Sequence, residues 1–381
     1  MGTDVKHRAA VKIARLAGQG LDLASFWREC TDPLATAVPH YWNPCFFTLD
    51  PASLLATSHF DEGIPELPPD WAQREYYDDD VHKLAGVARS EDGISTLHEV
   101  TGGDPTHTPR WKANIAYGGD QEMIAALRTR DGEVWGAISL YREPGQPFFD
   151  QDELAFVKNL APYLAEGARR ALFVGEATDP DLAEGPGLVI LTGDWQVEST
   201  TAGVDQWLAD LPDGNWEAGK LPTSIVAVAG RALRTAARPG EPGEVAVSRV
   251  LSRSGTWIVL HGAALVSQNT RRVAVIVEPA HPARISSLLM SAYGMTEREK
   301  DLTRLVLQGN STTEIAQRLV ISPHTVQEHL KNVFDKTGVR SRRDLVGKVF
   351  FSHYEPRLRD NERRTLRGEP IRGEPMPTSH R

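Results

Sequence analysis

Residues 322–338 read SPHTVQEHLKNVFDKTG, and this stretch decides the fold of the C-terminal part of the chain. Ser322 is a typical N-cap, Pro323 suits the first helical position, and Gly338 is a typical terminator, so the spacing predicts one helix between them. At about 100° per residue, apolar residues fall on one side of this helix and polar residues on the other. The apolar side comprises Val326, Leu330, Val333 and Phe334, and the polar side comprises His324, Gln327, Glu328, Lys331 and Asp335.

Two shorter helices are predicted immediately before this one. Thr296 and Glu299 form a capping box that begins the first of them, which is expected to end before Gly309. Ser311 and Glu314 form a second capping box, which opens a short helix. A short helix, a tight turn and a longer helix make up the helix-turn-helix pattern.

The polar side of the third helix has the chemistry to read DNA, because packing of the apolar side turns it outward. A helix in the major groove reads base edges with its N-terminal turns. Gln327 suits adenine, Glu328 suits a cytosine amino group, and Lys331 suits guanine or a phosphate. The N-terminus of the short helix suits phosphate oxygens. The complete set of candidate DNA-binding residues is Thr312, Thr313, His324, Thr325, Gln327, Glu328, Lys331, Arg340, Arg342 and Arg343.

A face that is simply solvated would explain the same polar pattern, so the order of the surrounding residues matters. Caps, turn residues and core positions recur in a specific order: Thr296 to Glu299, Gly309, Glu314 to Ala316, Leu319, Ser322-Pro323, Thr325-Val326, His329, Lys336, Gly338-Val339 and Ser341-Arg342. In this order, residues 295–346 resemble the LuxR-type helix-turn-helix of bacterial transcription factors. The resemblance implies that Gln327, Glu328 and Lys331 contact DNA and that the last helix, 342–351, mediates dimerisation. Glu328 departs from the family pattern, since an acid in the groove repels phosphates.

Composition and charge exclude several other classes of protein. The chain has 381 residues, of which 40% are hydrophobic and 24% charged, and only two are cysteines. Two cysteines are too few for a disulfide scaffold or a structural zinc site. No apolar run reaches the roughly 18 residues that a membrane helix needs, and the first residues lack a signal-peptide pattern, so we expect a cytoplasmic protein without a membrane partner. The net charge is −9, yet residues 291–352 hold ten Lys or Arg against seven Asp or Glu.

The region before these helices alternates helices with pairs of strands, which is typical of an α+β fold. Residues 7–38 are predicted to be helical, and 45–60 predict two strands joined by a turn. Residues 122–143 predict a hairpin about Asp131-Gly132, and 148–172 predict a helix capped by Asp150. Residues 187–280 predict a second β-rich unit with two helices.

These units resemble two kinds of sensory domain. Residues 122–172 resemble the end of a GAF domain, and 187–280 look PAS-like by strand order and length. The predicted fold class is α+β multidomain, with N-terminal GAF-like and PAS-like α/β sandwiches and a C-terminal all-α helix-turn-helix. The predicted domains are GAF-like at 1–175, PAS-like at 186–285, LuxR-type at 291–352, and a disordered tail at 355–381.

Three functions remain open at the level of sequence. The first is a sequence-specific transcriptional regulator that binds double-stranded DNA as a homodimer under the control of a signal at the N-terminal modules. RNA polymerase is a further candidate partner. The second is a signalling scaffold or ligand-binding protein whose C-terminal helices contact proteins. The third is an enzyme, for which Cys45 beside Asn43 and near His40 is the nearest indication.

We predict no catalytic residues, no metal site and no cofactor. A small-molecule ligand at the N-terminal domain is a candidate partner, because aromatic side chains are available to line a pocket. The same aromatics also fit an ordinary core. They are Trp27, Tyr41, Trp42, Trp111, Tyr117 and Trp135.

Overall fold

The fold is described by a computed structural model. The described residues are 2–60, 62–63, 71, 73–172, 186–216, 219–238, 245–265, 271–280 and 282–351. Most of the predicted linker at 174–187 and all of the predicted tail at 355–381 lie outside these residues. Two β-sheet units and a C-terminal helical unit follow one another along the chain, which confirms the predicted α+β class.

The first unit is built on a five-stranded antiparallel sheet with the order β2-β1-β5-β4-β3. Its strands are β1 Cys45–Leu49, β2 Ala56–Phe60, β3 Ile94–Thr96, β4 Gln121–Arg128 and β5 Val134–Arg142. Its helices are α1 Gly2–Leu16, α2 Leu23–Ala37, α3 Leu84–Arg89, α4 Leu97–Val100, α5 Pro109–Ile115 and α6 Gln151–Ala171, together with a π turn at Gln73–Tyr77. The predicted hairpin about Asp131-Gly132 and the Asp150-capped helix are confirmed.

Both faces of this sheet are covered, because successive strand residues point to opposite sides. Phe46 and Met123 pack on the side of α1, α2 and α6. Their neighbours Phe47 and Ile124 pack on the other side, with α3 and the π turn. The first sheet is therefore an inner layer with apolar side chains on both faces.

The second unit repeats the same strand order, β7-β6-β10-β9-β8, in another five-stranded antiparallel sheet. Its strands are β6 Gly187–Thr192, β7 Val197–Thr200, β8 Val247–Leu251, β9 Trp257–Leu265 and β10 Arg272–Pro279. Its helices are α7 Val204–Asp210 and α8 Thr223–Ala237. In both units the sheet order is second, first, fifth, fourth and third strand of the unit.

Helix α8 lies between the two sheets, and the hydrophobic cluster runs without a break from the first unit into the second. Polar contacts reinforce this interface. Asp50 accepts from the backbone N–H and the Nε of Arg249 at 2.9 and 3.0 Å. Asp213 accepts from the backbone N–H groups of His59 and Thr223 at 2.8 and 3.0 Å. The two sheet units therefore pack as one body.

The C-terminal unit contains α9 Pro282–Ala292, α10 Glu297–Leu307, α11 Thr312–Leu319, α12 Pro323–Thr337 and α13 Arg342–Phe351. Four of the predicted caps are present: capping boxes begin α10 and α11, Ser322 caps α12, and Gly338 follows α12 with φ 68°. Ser341 accepts from the backbone N–H of Asp344 at the start of α13. Helix α9 was not predicted. No helix within the described ranges is long and apolar enough to cross a membrane.

Candidate nucleic-acid interface

Helix α12 is held in place by its apolar side. Val326, Leu330 and Val333 are buried in a cluster that also contains residues of α10 and α11. The N-terminal turn is fixed by Ser322, whose Oγ accepts from the backbone N–H of Thr325 at 3.0 Å. Burial of one side against α10 and α11 sets the orientation of the helix, so the opposite side points to solvent.

A salt bridge adds to this fixation. Lys336 Nζ lies 2.6 Å from Glu299 Oε2 and also donates to the Gly294 carbonyl at 2.8 Å. Burial opposes the charge on Glu299, but hydrogen bonds from Lys336 and Thr296 outweigh it and hold the pKa of Glu299 below its ordinary value. Lys336 therefore anchors α12 to α10.

The polar side of α12 is open. His324, Gln327, Glu328 and Lys331 are all exposed, so the acidic body of the protein does not cover them. His324 Nδ1 lies 3.8 Å from Glu328 Oε2, and both side chains remain largely exposed. Lys331 has no ion-pair partner among the described residues. The four side chains are therefore accessible to solvent on this side of the helix.

The N-terminus of α11 lies beside this face. Gln327 Nε2 is 3.4 Å from Thr312 Oγ1, and Arg342 Nη2 donates to the same oxygen at 2.8 Å. Arg342 also donates to the Asn310 carbonyl at 3.0 Å. Thr312 thus joins the starts of α11 and α13 to the first turns of α12.

The remaining candidates divide by exposure. Thr313, Arg340 and Arg343 are exposed, whereas Thr312, Thr325 and Arg342 are half-buried. Thr325 hydrogen-bonds to Ser322 in the cap of α12. Arg342 and Thr325 therefore help to build the surface, while Arg340 and Arg343 are exposed cations close to Arg342 in the chain.

The turn between α11 and α12 contains a feature that the sequence did not indicate. Val320 adopts a left-handed conformation, with φ 55° and ψ 49°, and its side chain is 89% exposed. A β-branched residue rarely takes this conformation, which glycine and asparagine accept more readily.

The aromatic residues proposed to line a pocket do not form one cluster, although Tyr41 and Trp42 pack together with ring centroids 5.5 Å apart. Trp27 and Trp135 are buried in separate hydrophobic clusters. Tyr41 and Tyr117 are 47% and 44% exposed. Trp111 is half-buried and donates through Nε1 to Asp120 at 2.9 Å. A cleft with polar walls lies elsewhere, and it is treated below.

The residues considered for an enzyme are engaged separately. His40 Nδ1 lies 2.6 Å from the Val38 carbonyl, and Asn43 donates to the Glu62 carbonyl at 3.0 Å. Cys45 is buried in the hydrophobic core on β1. This arrangement gives no support to a cysteine nucleophile.

Solved structures share low similarity with the N-terminal units. The phycoerythrobilin-bound GAF domain from a cyanobacterial phytochrome is 14% identical, covering 45% of this chain and 96% of that chain, with a TM-score of 0.26. PelD 158-CT from Pseudomonas aeruginosa PAO1 is 13% identical, covering 75% and 82%, with a TM-score of 0.29. Such TM-scores do not establish a common fold.

The helical unit has informative relatives. A Mycobacterium tuberculosis (strain H37Rv) protein named as an HTH-type transcriptional regulator is 50% identical over 52 residues, which are 14% of this chain but only 6% of that relative. The spore germination protein GerE of Bacillus subtilis is 40% identical over 52 residues, 14% of this chain and 70% of GerE. Residues 294–349 match the family described as bacterial regulatory proteins, luxR family. Through this C-terminal domain, the chain belongs to the luxR family of bacterial regulatory proteins.

Proposed function

We propose that this protein is a sequence-specific DNA-binding transcriptional regulator. The observation that carries the proposal is the open polar side of α12, flanked by the N-terminus of α11. Membership of the luxR family supports the same conclusion. The division into domains at 1–175, 186–285 and 291–352 belongs to this proposal, with the first two as sensory modules.

In this proposal, α12 enters the major groove and its first turns contact base edges. Gln327 and Glu328 supply sequence preference, and Lys331 contacts a guanine or a phosphate. Thr313, Arg340 and Arg343 contact the phosphate backbone, since they are exposed at the edge of the surface. Because Gln327 is already within 3.4 Å of Thr312, the base-reading and phosphate-binding parts share one rigid frame.

The proposal also includes control of DNA binding by a signal at the N-terminal units. A homodimer would place two copies of α12 on a pseudo-palindromic site, with α13 as the dimerisation helix. A ligand at the N-terminal units changes DNA binding only through its different affinity for two states of the protein. RNA polymerase is the proposed partner once the dimer is bound.

Selection of genomic fragments by the full chain, followed by salt titration on the selected and a scrambled duplex, tests this function. We expect Lys331→Ala to weaken binding to both duplexes and to reduce the salt slope by about 1. Gln327→Ala is expected to reduce the ratio between the two affinities instead. Lys158→Ala, an exposed lysine paired with Asp92 on the first unit, is the matched control.

Equally weak binding to both duplexes across the salt range would overturn the proposal. The scaffold interpretation would then account better for the exposed face of α12. Unchanged affinity in Lys331→Ala, with Lys158→Ala also unchanged, would remove α12 from the interface even if the protein binds DNA.

A further inference from the structure

A cleft with a volume of about 550 Å³ lies between the two sheet units. One wall is formed by the segment 75–89 of the first unit, and the other by residues 231–238 at the end of α8 and just beyond it. The volume falls within the range of about 300–1,000 Å³ that is typical of small-molecule sites. The charged residues in its walls are Glu75, Asp79, Asp80, Lys83, Arg89, Arg231, Arg234 and Arg238.

Five of these side chains are cationic and three are acidic. One of the acids, Glu75, is paired with Arg110, which does not line the cleft. Glu75 Oε2 accepts from Arg110 Nη1 at 3.0 Å, and both side chains are buried. Burial outweighs the effect of Arg110 and raises the pKa of Glu75 above its ordinary value. Arg231 is buried as well, so the cations accessible in the cleft are Lys83, Arg89, Arg234 and Arg238, and the remaining acids are Asp79 and Asp80.

One of those acids is shared between two arginines. Asp79 Oδ1 accepts from Arg234 Nη2 at 3.1 Å, and its other oxygen pairs with Arg238. Arg234 also donates to the Tyr77 carbonyl at 2.9 Å, which aims its guanidinium across the junction between the units. The arginines of α8 thus already use anionic and carbonyl oxygens of the facing segment as partners.

Burial has a clear effect on the lysine. It lowers the pKa of Lys83, with a further contribution from Arg234, and outweighs the attraction of Glu75, Asp80 and Asp79. A bound anion would favour the charged form of Lys83, because a nearby opposite charge offsets the cost of burial.

We propose that this cleft binds a small polyanion whose phosphate or carboxylate oxygens accept from Lys83 and Arg89 on one side and from the α8 arginines on the other. Guanidinium groups suit such oxygens because they offer paired N–H donors in one plane. The ligand would touch both sheet units and oppose their separation. The inference supplies a ligand class for the signal control proposed above, but binding itself does not depend on DNA.

Isothermal titration of the full chain without DNA tests the proposal, with pyrophosphate and citrate as probes and sodium chloride at matched ionic strength as the reference. Saturable binding of one molecule per chain is expected, and the stronger probe identifies the preferred anion. Arg89→Gln and Arg238→Gln are each expected to weaken binding about tenfold, since each removes a charged hydrogen-bond donor. Asp79→Asn is expected to strengthen binding severalfold, because it removes the competing carboxylate.

Two controls locate the site. Arg15→Gln removes an exposed charge from α1, which packs on the other face of the first sheet. Lys331→Gln removes the exposed lysine of the DNA-facing side, where pyrophosphate would also be attracted. Neither change is expected to affect binding.

Three outcomes would overturn the proposal: heats that do not differ from those of the chloride reference, equal binding by wild type and the Arg89 and Arg238 variants, or loss of binding in Lys331→Gln. None of these results decides whether the protein recognises DNA, which the duplex titrations test separately. Conversely, a protein that binds neither duplex selectively would leave the anion site intact.

Discussion

Lys300 on α10 donates to Glu133 Oε1 at 2.7 Å, and this contact joins the helical unit to the β4–β5 turn of the first sheet unit. Ser291 Oγ donates to the same oxygen at 2.5 Å. Arg169 at the end of α6 donates to the Ser291 carbonyl at 3.1 Å. The helical unit is therefore docked through polar groups at the end of α9 and the start of α10, and Leu288 and Leu289 of α9 add apolar contacts in one cluster with Trp135 and Trp257.

Lys300→Met should loosen this docking. Burial opposes the charge on Lys300, but hydrogen bonds from its ammonium group to Glu133 and Glu297 outweigh it and raise its pKa. Because a raised pKa marks a stabilised charged form, removal of the charge is expected to lower the free energy of unfolding by about 1 kcal/mol. Urea denaturation followed by tryptophan fluorescence measures the change.

Exchange of the two charged residues, Lys300 and Glu133, provides the control for this prediction. Lys300→Glu combined with Glu133→Lys should recover part of the loss in a double-mutant cycle. Lys158→Met, in an exposed pair with Asp92, should change nothing measurable. Additive effects of the two exchanged residues would contradict a direct interaction.

Asp50→Asn should weaken the packing of the two sheet units. The Asp50 side chain is buried and accepts three hydrogen bonds from Arg249, two of them from the guanidinium. Breaking one member of a buried pair leaves an uncompensated charge, so we expect a loss of about 3 kcal/mol in urea unfolding. Asp92→Asn is the control on an exposed pair, for which no measurable change is expected. Equal stability of the two variants would mean that the Asp50 contact contributes nothing.

Val320→Asn should stabilise the helical unit. The left-handed backbone at Val320 costs roughly 1–2 kcal/mol for an ordinary side chain, and asparagine accepts it more easily. The side chain is exposed, so little packing is lost, and a gain of about 1 kcal/mol is expected. Val245→Asn makes the same exchange at an exposed valine that does not have a positive φ. A urea midpoint that rises equally in both variants, or in neither, would contradict backbone strain as the cause.

Glu122→Gln should change the response of stability to acid. Burial opposes ionisation of Glu122, but Arg110 at 2.6 Å and His82 at 3.2 Å outweigh it and hold its pKa well below the ordinary value. Because the folded pKa lies below the unfolded one, ionised Glu122 stabilises the protein above the ordinary Glu pKa of 4.5, and this contribution is lost as pH falls.

The variant is expected to be less stable by about 3 kcal/mol at neutral pH and to lose less of its remaining stability in acid. Urea midpoints measured from about pH 7 to about pH 3 compare the two slopes. Parallel curves for the variant and wild type would show that the pKa of Glu122 is the same in the folded and unfolded states.

Glu328→Gln should raise general affinity for DNA and reduce discrimination, if the proposed function holds. The Glu328 side chain is 66% exposed on the side of α12 that carries Lys331. Removal of a negative charge near phosphates favours every duplex alike, so binding to a scrambled duplex is expected to gain severalfold. Asp335→Asn, later on the same helix, should gain less because N-terminal turns enter the groove. A larger gain in Asp335→Asn would point to a different docking geometry.

Local signals in the sequence predicted much of the helical unit. Each helix cap in this unit depends on residues within a few positions of one another, so it can be recognised from the sequence alone. The caps are the capping boxes at Thr296 and Ser311 and the single caps at Ser322 and Gly338. The hairpin about Asp131-Gly132 is predictable from the sequence for the same reason. The assignment of the candidate DNA-binding residues stays a prediction, although their exposure agrees with it.

Other parts of the fold were not predictable from local signals. Residues 61–118 carry no clear local pattern, and their described parts include short elements such as the π turn, which packs against α8, and α3, which packs against the first sheet. Residues 7–38 were read as helical, and the structure divides them into α1 and α2 around Gly20, which has φ 66°.

The sequence by itself determined the caps, the two-sided character of α12 and the identity of the family, because these depend on residues close together in the chain. Only the tertiary structure decided that Arg110 links Glu75 to Glu122, that α8 places its arginines opposite Lys83, and that Lys300 docks on Glu133. Each of these contacts joins residues far apart in sequence. Their formation depends on how the sheets and helices pack together, and no local sequence pattern indicates this packing.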